Sequence, residues 1–190
     1  MTHEKFDPSR LEKLNDPARL ARMEPQRIWD AAGIANPCVV VEIGAGTGIF
    51  AEAFTNFAPE APIYAVDTEP LMIGWMEAHR APALGGRLIP LLATDKRVPL
   101  PDGKADVVFM IDLHHELNSP DATYAEVYRL LASGRKVVVV DWLRDNEPGG
   151  PPQEIRASKE EITATLERTG FKNVAAHTGP ARHSLITAVK

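Results

Sequence analysis

Five short apolar runs constrain what this chain can fold into more than any other feature. They are CVVVEIG (38–44), PIYAVD (62–67), RLIPLL (87–92), ADVVFMID (105–112) and KVVVVDW (136–142). Each is rich in β-branched residues and nearly continuous instead of alternating, the pattern of strands buried on both faces. Helical periodicity fills the intervals at 24–33, 48–57, 70–80, 120–132 and 158–169. Alternation of this kind predicts an α/β fold, an open and mostly parallel sheet with helices on both faces. Local signals agree. Ser119-Pro120 predicts an N-cap before a proline at the first helical position. SKEE (158–161) has the capping-box pattern, and Gly170 stops that helix as a left-handed cap. Beyond it, FKNVAAHT and ARHSLITAVK are strand-like runs joined by Gly179-Pro180. So short a turn makes them antiparallel, which sets one C-terminal strand against the parallel direction.

At 190 residues and 44% hydrophobic, the chain is sized for one domain with an ordinary core. The expected division is an N-terminal helical cap (1–35) and an α/β core (36–190). A net charge of −5 argues against bare nucleic acid or an anionic membrane as partner, since phosphate contacts need clustered Lys and Arg. Cys38 stands alone, so neither an internal disulfide nor a cysteine zinc site is available; it reads as a small buried hydrophobe. No signal-like apolar segment opens the chain and no apolar run reaches the length of a membrane span. A cytoplasmic protein, monomer or homodimer, is expected.

The first strand ends in the loop Gly44-Ala45-Gly46-Thr47-Gly48. This G-x-G-x-G differs from the dinucleotide fingerprint G-x-G-x-x-G, whose third glycine would fall at Ile49. No G-K-[ST] follows, so it is not a P-loop. Glu42, two residues before the loop, would repel a pyrophosphate and suits a ligand carrying an ammonium; it also suits capping of amides in the next helix. Asp67 ends the second strand, where a carboxylate accepts from both hydroxyls of a ribose, a feature shared with nicotinamide enzymes.

VVVEIGAGTGIF, YAVDTEPLM, VPLPDGKADVVFMIDLHHEL, YRLLASGRKVVVVDW and EEITATLERTGFKNV, in that order, resemble the successive motifs of class I S-adenosylmethionine (SAM)-dependent methyltransferases. The resemblance is to small stand-alone members of the ubiquinone/menaquinone-biosynthesis type and covers nearly the whole chain. It implies a Rossmann-like, seven-stranded sheet and transfer of a methyl group from SAM to a small molecule, leaving S-adenosyl-L-homocysteine. It also implies that Glu42, Gly44, Ala45, Gly46 and Gly48 line the methionine moiety and that Asp67 binds the ribose. Thr68 and Met72 then flank adenine and ribose, and the backbone near Ile111 and Asp112 closes the site beside the sulfonium. Where relatives carry an acid for the adenine amino group, ungapped alignment gives Thr94, with Asp95 one residue on.

A base is needed only for a nucleophile that starts protonated; His114, His115, Glu116 and Asp141 are the candidates. The two histidines, read as consecutive strand residues, would face opposite ways and so would not share a metal; no metal site is expected. The 143–157 segment, rich in Pro and Gly, reads as a lid or a connector beside the site mouth. Trp142 reads as substrate wall or strand-end packing. Trp75, His79 and Arg80 are assigned no functional role. Two other readings stand beside the methyltransferase: an idle SAM-binding partner protein, and an NAD(P)-dependent oxidoreductase, which Ile49 disfavours.

Overall fold

The computed structural model describes residues 11–144 and 149–190. Three short helices come first: α1 (Leu11–Leu14), α2 (Ala18–Met23) and α3 (Pro25–Ala32). Then follow β1 (Val40–Ile43), α4 (Ile49–Phe54), β2 (Ile63–Asp67), α5 (Pro70–His79), β3 (Leu88–Leu92) and β4 (Ala105–Ile111). The chain continues through α6 (Pro120–Leu130), β5 (Leu131–Trp142), α7 (Lys159–Thr169), β6 (Lys172–His177) and β7 (His183–Val189). The seven strands form one sheet in the order β3-β2-β1-β4-β5-β7-β6. All pairings from β3 to β5 are parallel, and β7 runs antiparallel to both β5 and β6.

Both faces are covered, which is why the strand runs read as continuously apolar. In β4, Val107, Phe109 and Ile111 join the core under α3, α4 and α5, while Val108 and Met110 join the core under α6 and α7. Val138 and Val140 of β5 split from Val137 and Val139 in the same way. This is the period-two alternation of a strand with two apolar sides. Phe54 and Phe109 rings pack at 4.3 Å, and Trp29 stacks on Phe109 at 5.6 Å. Fully burying such side chains stabilises by about 1.5–3 kcal/mol each, which ties α3 to the sheet.

Some local expectations hold and others are corrected. The Ser158 hydroxyl accepts from Glu161 N and Glu161 reaches back to Ser158 N, completing the capping box, and Gly170 caps with φ 105°. Ser119 precedes α6 but makes no side-chain cap. Strand β5 begins at Leu131, directly after α6, because Leu131 pairs with Ala105 ahead of a register shift that restarts at Lys136–Val107. Cys38 is exposed, not buried. It lies before β1, its amide pinned by the Asp106 carboxylate at 2.6 Å, and the buried residue there is Val39. Residues 145–148 of the predicted loop lie outside the described residues. Among the described residues no helix is long and apolar enough to cross a membrane.

Because β2 and β3 lie to one side of β1 and β4 and β5 to the other, successive connections diverge between β1 and β4. That switch point, beyond the carboxyl ends of the strands, is where open α/β sheets bind ligands in a crevice.

Candidate functional site

The loop after β1 is shaped by three glycines in the left-handed region, Gly44 (φ 71°), Gly46 (φ 57°) and Gly48 (φ 74°). A Cβ on Gly44 would stand 2.6 Å from Leu113 Cδ1, and one on Gly48 would stand 2.8 Å from Met76 Sδ. Side chains are thus excluded by conformation and by space. Ile49 begins α4 and is 4% exposed in the core. It fills the place where a dinucleotide fold brings helix and strand together through a third glycine.

Glu42 is buried at the end of β1, and its Oε2 has no hydrogen-bond partner among the described residues. Burial raises its carboxyl to about 8, although the Ala51 amide and the Arg19 and Arg80 guanidiniums pull the other way. The Ala51 amide lies in the first turn of α4, so Glu42 does take part in capping. Thr47 Oγ1, in the loop itself, is likewise buried and unpartnered among the described residues. Two orphaned buried oxygens around a glycine cradle fit the amino-acid end of SAM, which brings donors and needs close backbone approach.

Asp67 ends β2 on the other side of the loop. Its Oδ2 accepts from Gly46 N at 2.7 Å and its Oδ1 from Glu69 N at 3.0 Å. Burial raises its carboxyl, and the amides of Glu69, Gly46 and Thr68 counter that. A carboxylate offers about four acceptor positions, so capacity remains for a ligand's hydroxyls. Thr68 is exposed beside it and Met72 is buried one helical turn on. Thr94 accepts from Arg97 N at 3.0 Å, so its hydroxyl serves its own turn, whereas Asp95 stands exposed at the tip.

Beyond β4, Asp112 adopts φ 55° and donates its amide to Val140 O at 2.9 Å. Arg19 of α2 reaches it, Nη2 to Oδ2 at 3.0 Å. His183 Nε2 stands 3.1 Å from Oδ1, within ion-pair range. Burial alone would raise the Asp112 carboxyl; His183 and Arg19 together hold it below the ordinary range. Leu14 and Leu113 lie over Gly46 and Gly44. Arg80 donates to Thr47 O at 2.5 Å and Asn15 Oδ1 at 2.7 Å and pairs with Glu52. Arg80 therefore belongs to the loop's surroundings, contrary to its reading as an ordinary helix residue. Arg19 and His183 had no sequence signal at all; their contacts span 93 and 71 residues.

His114–Glu116 form a 3₁₀ turn after β4, not a strand continuation. The two rings still diverge. His114 Nδ1 lies 2.8 Å from Tyr124 Oη, and burial pushes its imidazole below the ordinary value. His115 Nδ1 lies 2.8 Å from Asp141 Oδ1, both side chains buried. Burial would lower His115, but the Asp141 hydrogen bond and the charges of Asp141, Glu116 and Asp112 more than offset it, so the imidazole is raised above 6.5. Asp141 is itself fixed by Trp142 N at 2.8 Å. His115 Nε2 lies 3.7 Å from Glu116 Oε1. Of the four candidate acid–base residues, three thus converge and His114 points away toward Tyr124.

A glycine cradle with buried oxygens unpartnered among the described residues, a strand-end carboxylate beside it and a histidine–aspartate pair make up the candidate site on a doubly wound sheet. Residues 41–139 match the family described as a methyltransferase domain, more than half of the 190 residues, and the chain belongs to that family. It is 32% identical over 132 residues to the ubiquinone/menaquinone biosynthesis C-methyltransferase UbiE of Dinoroseobacter shibae, covering 68% of this chain and 48% of the relative. It is 29% identical over 102 residues to the malonyl-[acyl-carrier protein] O-methyltransferase of Hahella chejuensis, 54% of this chain and 36% of that one. The chain thus spans about half or less of the length of these curated relatives. The crystal structure of a SAM-dependent methyltransferase from Aquifex aeolicus superposes with a TM-score of 0.90 at 27% identity, covering 97% of this chain and 98% of that one.

Proposed function

We propose that the protein methylates a small molecule whose nucleophile starts protonated, such as a phenol, an enol or an acidic carbon, with His115 as general base. The observation that carries this is the buried His115 Nδ1–Asp141 Oδ1 contact of 2.8 Å. A carboxylate on Nδ1 selects the tautomer with Nδ1–H and leaves Nε2 as the proton acceptor. Glu116, near Nε2, favours the imidazolium once the proton has moved. An amine acceptor above its pKa would need none of this. One relative is a C-methyltransferase, and a carbon nucleophile must first lose a proton, which supports a base-dependent acceptor.

SAM supplies, when bound, a methyl already activated by the sulfonium. The chain's tasks are then to orient it, to exclude water and to hold the nucleophile in line at roughly 3–3.5 Å. In this reading Glu42 meets the ammonium and the Gly44-Ala45-Gly46-Thr47-Gly48 backbone the methionine moiety. Asp67 meets the ribose, Thr68, Met72 and Asp95 the adenine side, and Ile111 and Asp112 close the crevice. The test is S-adenosylhomocysteine release across a panel of phenols, enolisable carbonyl compounds, carboxylic acids and amines. Turnover confined to phenols or enolisable compounds is expected; turnover confined to amines overturns the assignment.

Asp67→Ala is expected to weaken SAM binding by a little over a hundredfold. Hydrogen bonds to a charged group contribute about 1.5–3 kcal/mol each and two sharing one carboxylate add incompletely, so a total near 3 kcal/mol follows. Unlike a carboxylate facing only ligand, Asp67 holds Gly46 N and Glu69 N. The ligand-free melting temperature should therefore fall too, because orphaned amides cost about 1–3 kcal/mol. Calorimetry and thermal melts on both proteins decide it: a change in affinity under about fivefold removes Asp67 from the ribose role.

A further inference from the structure

An open groove of about 370 Å³ lies beside the histidine turn, on the α6–α7 face of the sheet. Its charged lining is Arg144, Arg156 and Arg168 against Glu161, a local excess of positive charge on a chain whose net charge is −5. One of its lining residues is His114, the neighbour of His115, and Arg156 lies over the ring of Trp142, which follows Asp141, at 5.4 Å. The groove thus shares His114 with the histidine turn, and its volume lies in the range of small-molecule sites.

The three guanidiniums differ in what they have left to offer. Arg156 is buried and donates to the carbonyls of Pro151, Leu143 and Gly149, so it shapes the wall. Arg144 uses Nε on Arg156 O and one hydrogen on each Nη on Glu161. Arg168 uses Nε and Nη2 on Asp121 and Thr165. A guanidinium carries five N–H groups. Arg144 therefore keeps one hydrogen on each Nη and Arg168 keeps both on Nη1. Their carboxylate partners are exposed, 53% for Glu161 and 64% for Asp121, and ion pairs of that kind hold weakly. An incoming anion can add to both arginines or displace those carboxylates.

We propose that this groove binds the anionic group, carboxylate or phosphate, of a small methyl acceptor through Arg144 and Arg168. The proposal rests on the methyltransferase reading and names the acceptor's charge. Carboxylates and phosphates share the geometry that a guanidinium fork recognises.

The experiment titrates the full chain with malonate, inorganic phosphate and neutral malonamide by calorimetry and by histidine imidazole NMR, with and without S-adenosylhomocysteine. Saturable binding of malonate or phosphate, with the His114 signals shifting, is expected; the tighter of the two identifies the acceptor's group. The double variant R144Q/R168Q, on the surface, should weaken it by about tenfold or more, as expected when charge-assisted pairs are lost. Glu161→Gln keeps the capping-box chemistry while removing the competing charge, so it should tighten malonate binding. No saturable binding, equal binding by malonamide, or an unchanged affinity in the double variant overturns the proposal. S-adenosylhomocysteine affinity is the independent control. If it binds and malonate does not, the groove assignment alone falls; if it fails to bind, the cofactor reading falls instead.

Discussion

A Glu42→Gln protein is expected to be more stable than its parent without ligand, by a margin that widens from pH 5 to pH 8. Glu42 is 1% exposed and its carboxyl titrates near 8, against 4.5 in the unfolded chain, chiefly through burial. Between those values the native state keeps a proton that the unfolded state has lost. The unfolded state then binds fewer protons, so stability falls as pH rises through this window and levels off above 8. At 1.36 kcal/mol per pH unit the interval between 4.5 and about 8 sets a ceiling of about 5 kcal/mol. Relief by water drawn in on ionisation lowers it. Glutamine has the same shape and no titration, and groups such as His115 contribute equally to both proteins and cancel. Urea unfolding at pH 5, 6.5 and 8.5 reads the difference directly. With m near 2–3 kcal/mol/M the ceiling corresponds to a midpoint displacement of about 2 M at the highest pH. Parallel midpoints across the three pH values would remove Glu42 as a strained acid.

The same chemistry bears on cofactor capture. An ammonium beside Glu42 favours the carboxylate form, so SAM binding near pH 7 should release a proton. Its calorimetric enthalpy should then vary with the ionisation heat of the buffer, and that variation should vanish in Glu42→Gln. The Oε2, unpartnered among the described residues, is in this view a stored demand for a donor on a side chain that is buried.

How much of this was legible beforehand depended on whether a contact was local. The β4 and β5 runs declared their double burial by continuous apolar character, and the order of five motifs carried sheet, helices and glycine loop together. The capping box at Ser158 closes within four residues, so its pattern is complete in the sequence. Ser119 shows the limit: the residue type and the following proline were right, yet its side chain does not cap α6. Cys38 was judged from the run it opens, whereas β1 starts only at Val40 and Cys38 lies exposed ahead of it. The histidine turn was misread because β4 stops at Ile111 and Asp112 turns left-handed, which no apolar pattern announces. Arg19, Arg80 and His183 reach the site from α2, the end of α5 and β7. Only the folded arrangement brings those elements to one crevice.

Asp141→Asn and His115→Gln should each lower turnover by about 10²–10⁴-fold on the acceptor that the panel identifies, the range that a positioned general base contributes. Asp141 acts by holding His115 Nδ1–H, so either change dismantles the same device. The double variant should therefore be little worse than either single one. Affinity for S-adenosylhomocysteine should stay within about twofold, since the pair lies beyond the glycine loop; equal losses in affinity and turnover would make it a binding element. The pH profile supplies the sharper readout. A base must be neutral to accept a proton, and His115 is raised above 6.5 by Asp141, Glu116 and Asp112 against the opposing effect of burial. The acid limb of kcat/KM should accordingly have its midpoint above 6.5. In Asp141→Asn the hydrogen bond to a carboxylate and its charge are gone while burial remains, so the midpoint should move to lower pH. Residual activity that keeps the wild-type profile, or a loss of turnover under about fivefold in both single variants, would assign proton removal to another group and leave His115–Asp141 as the brace between the β4 turn and β5.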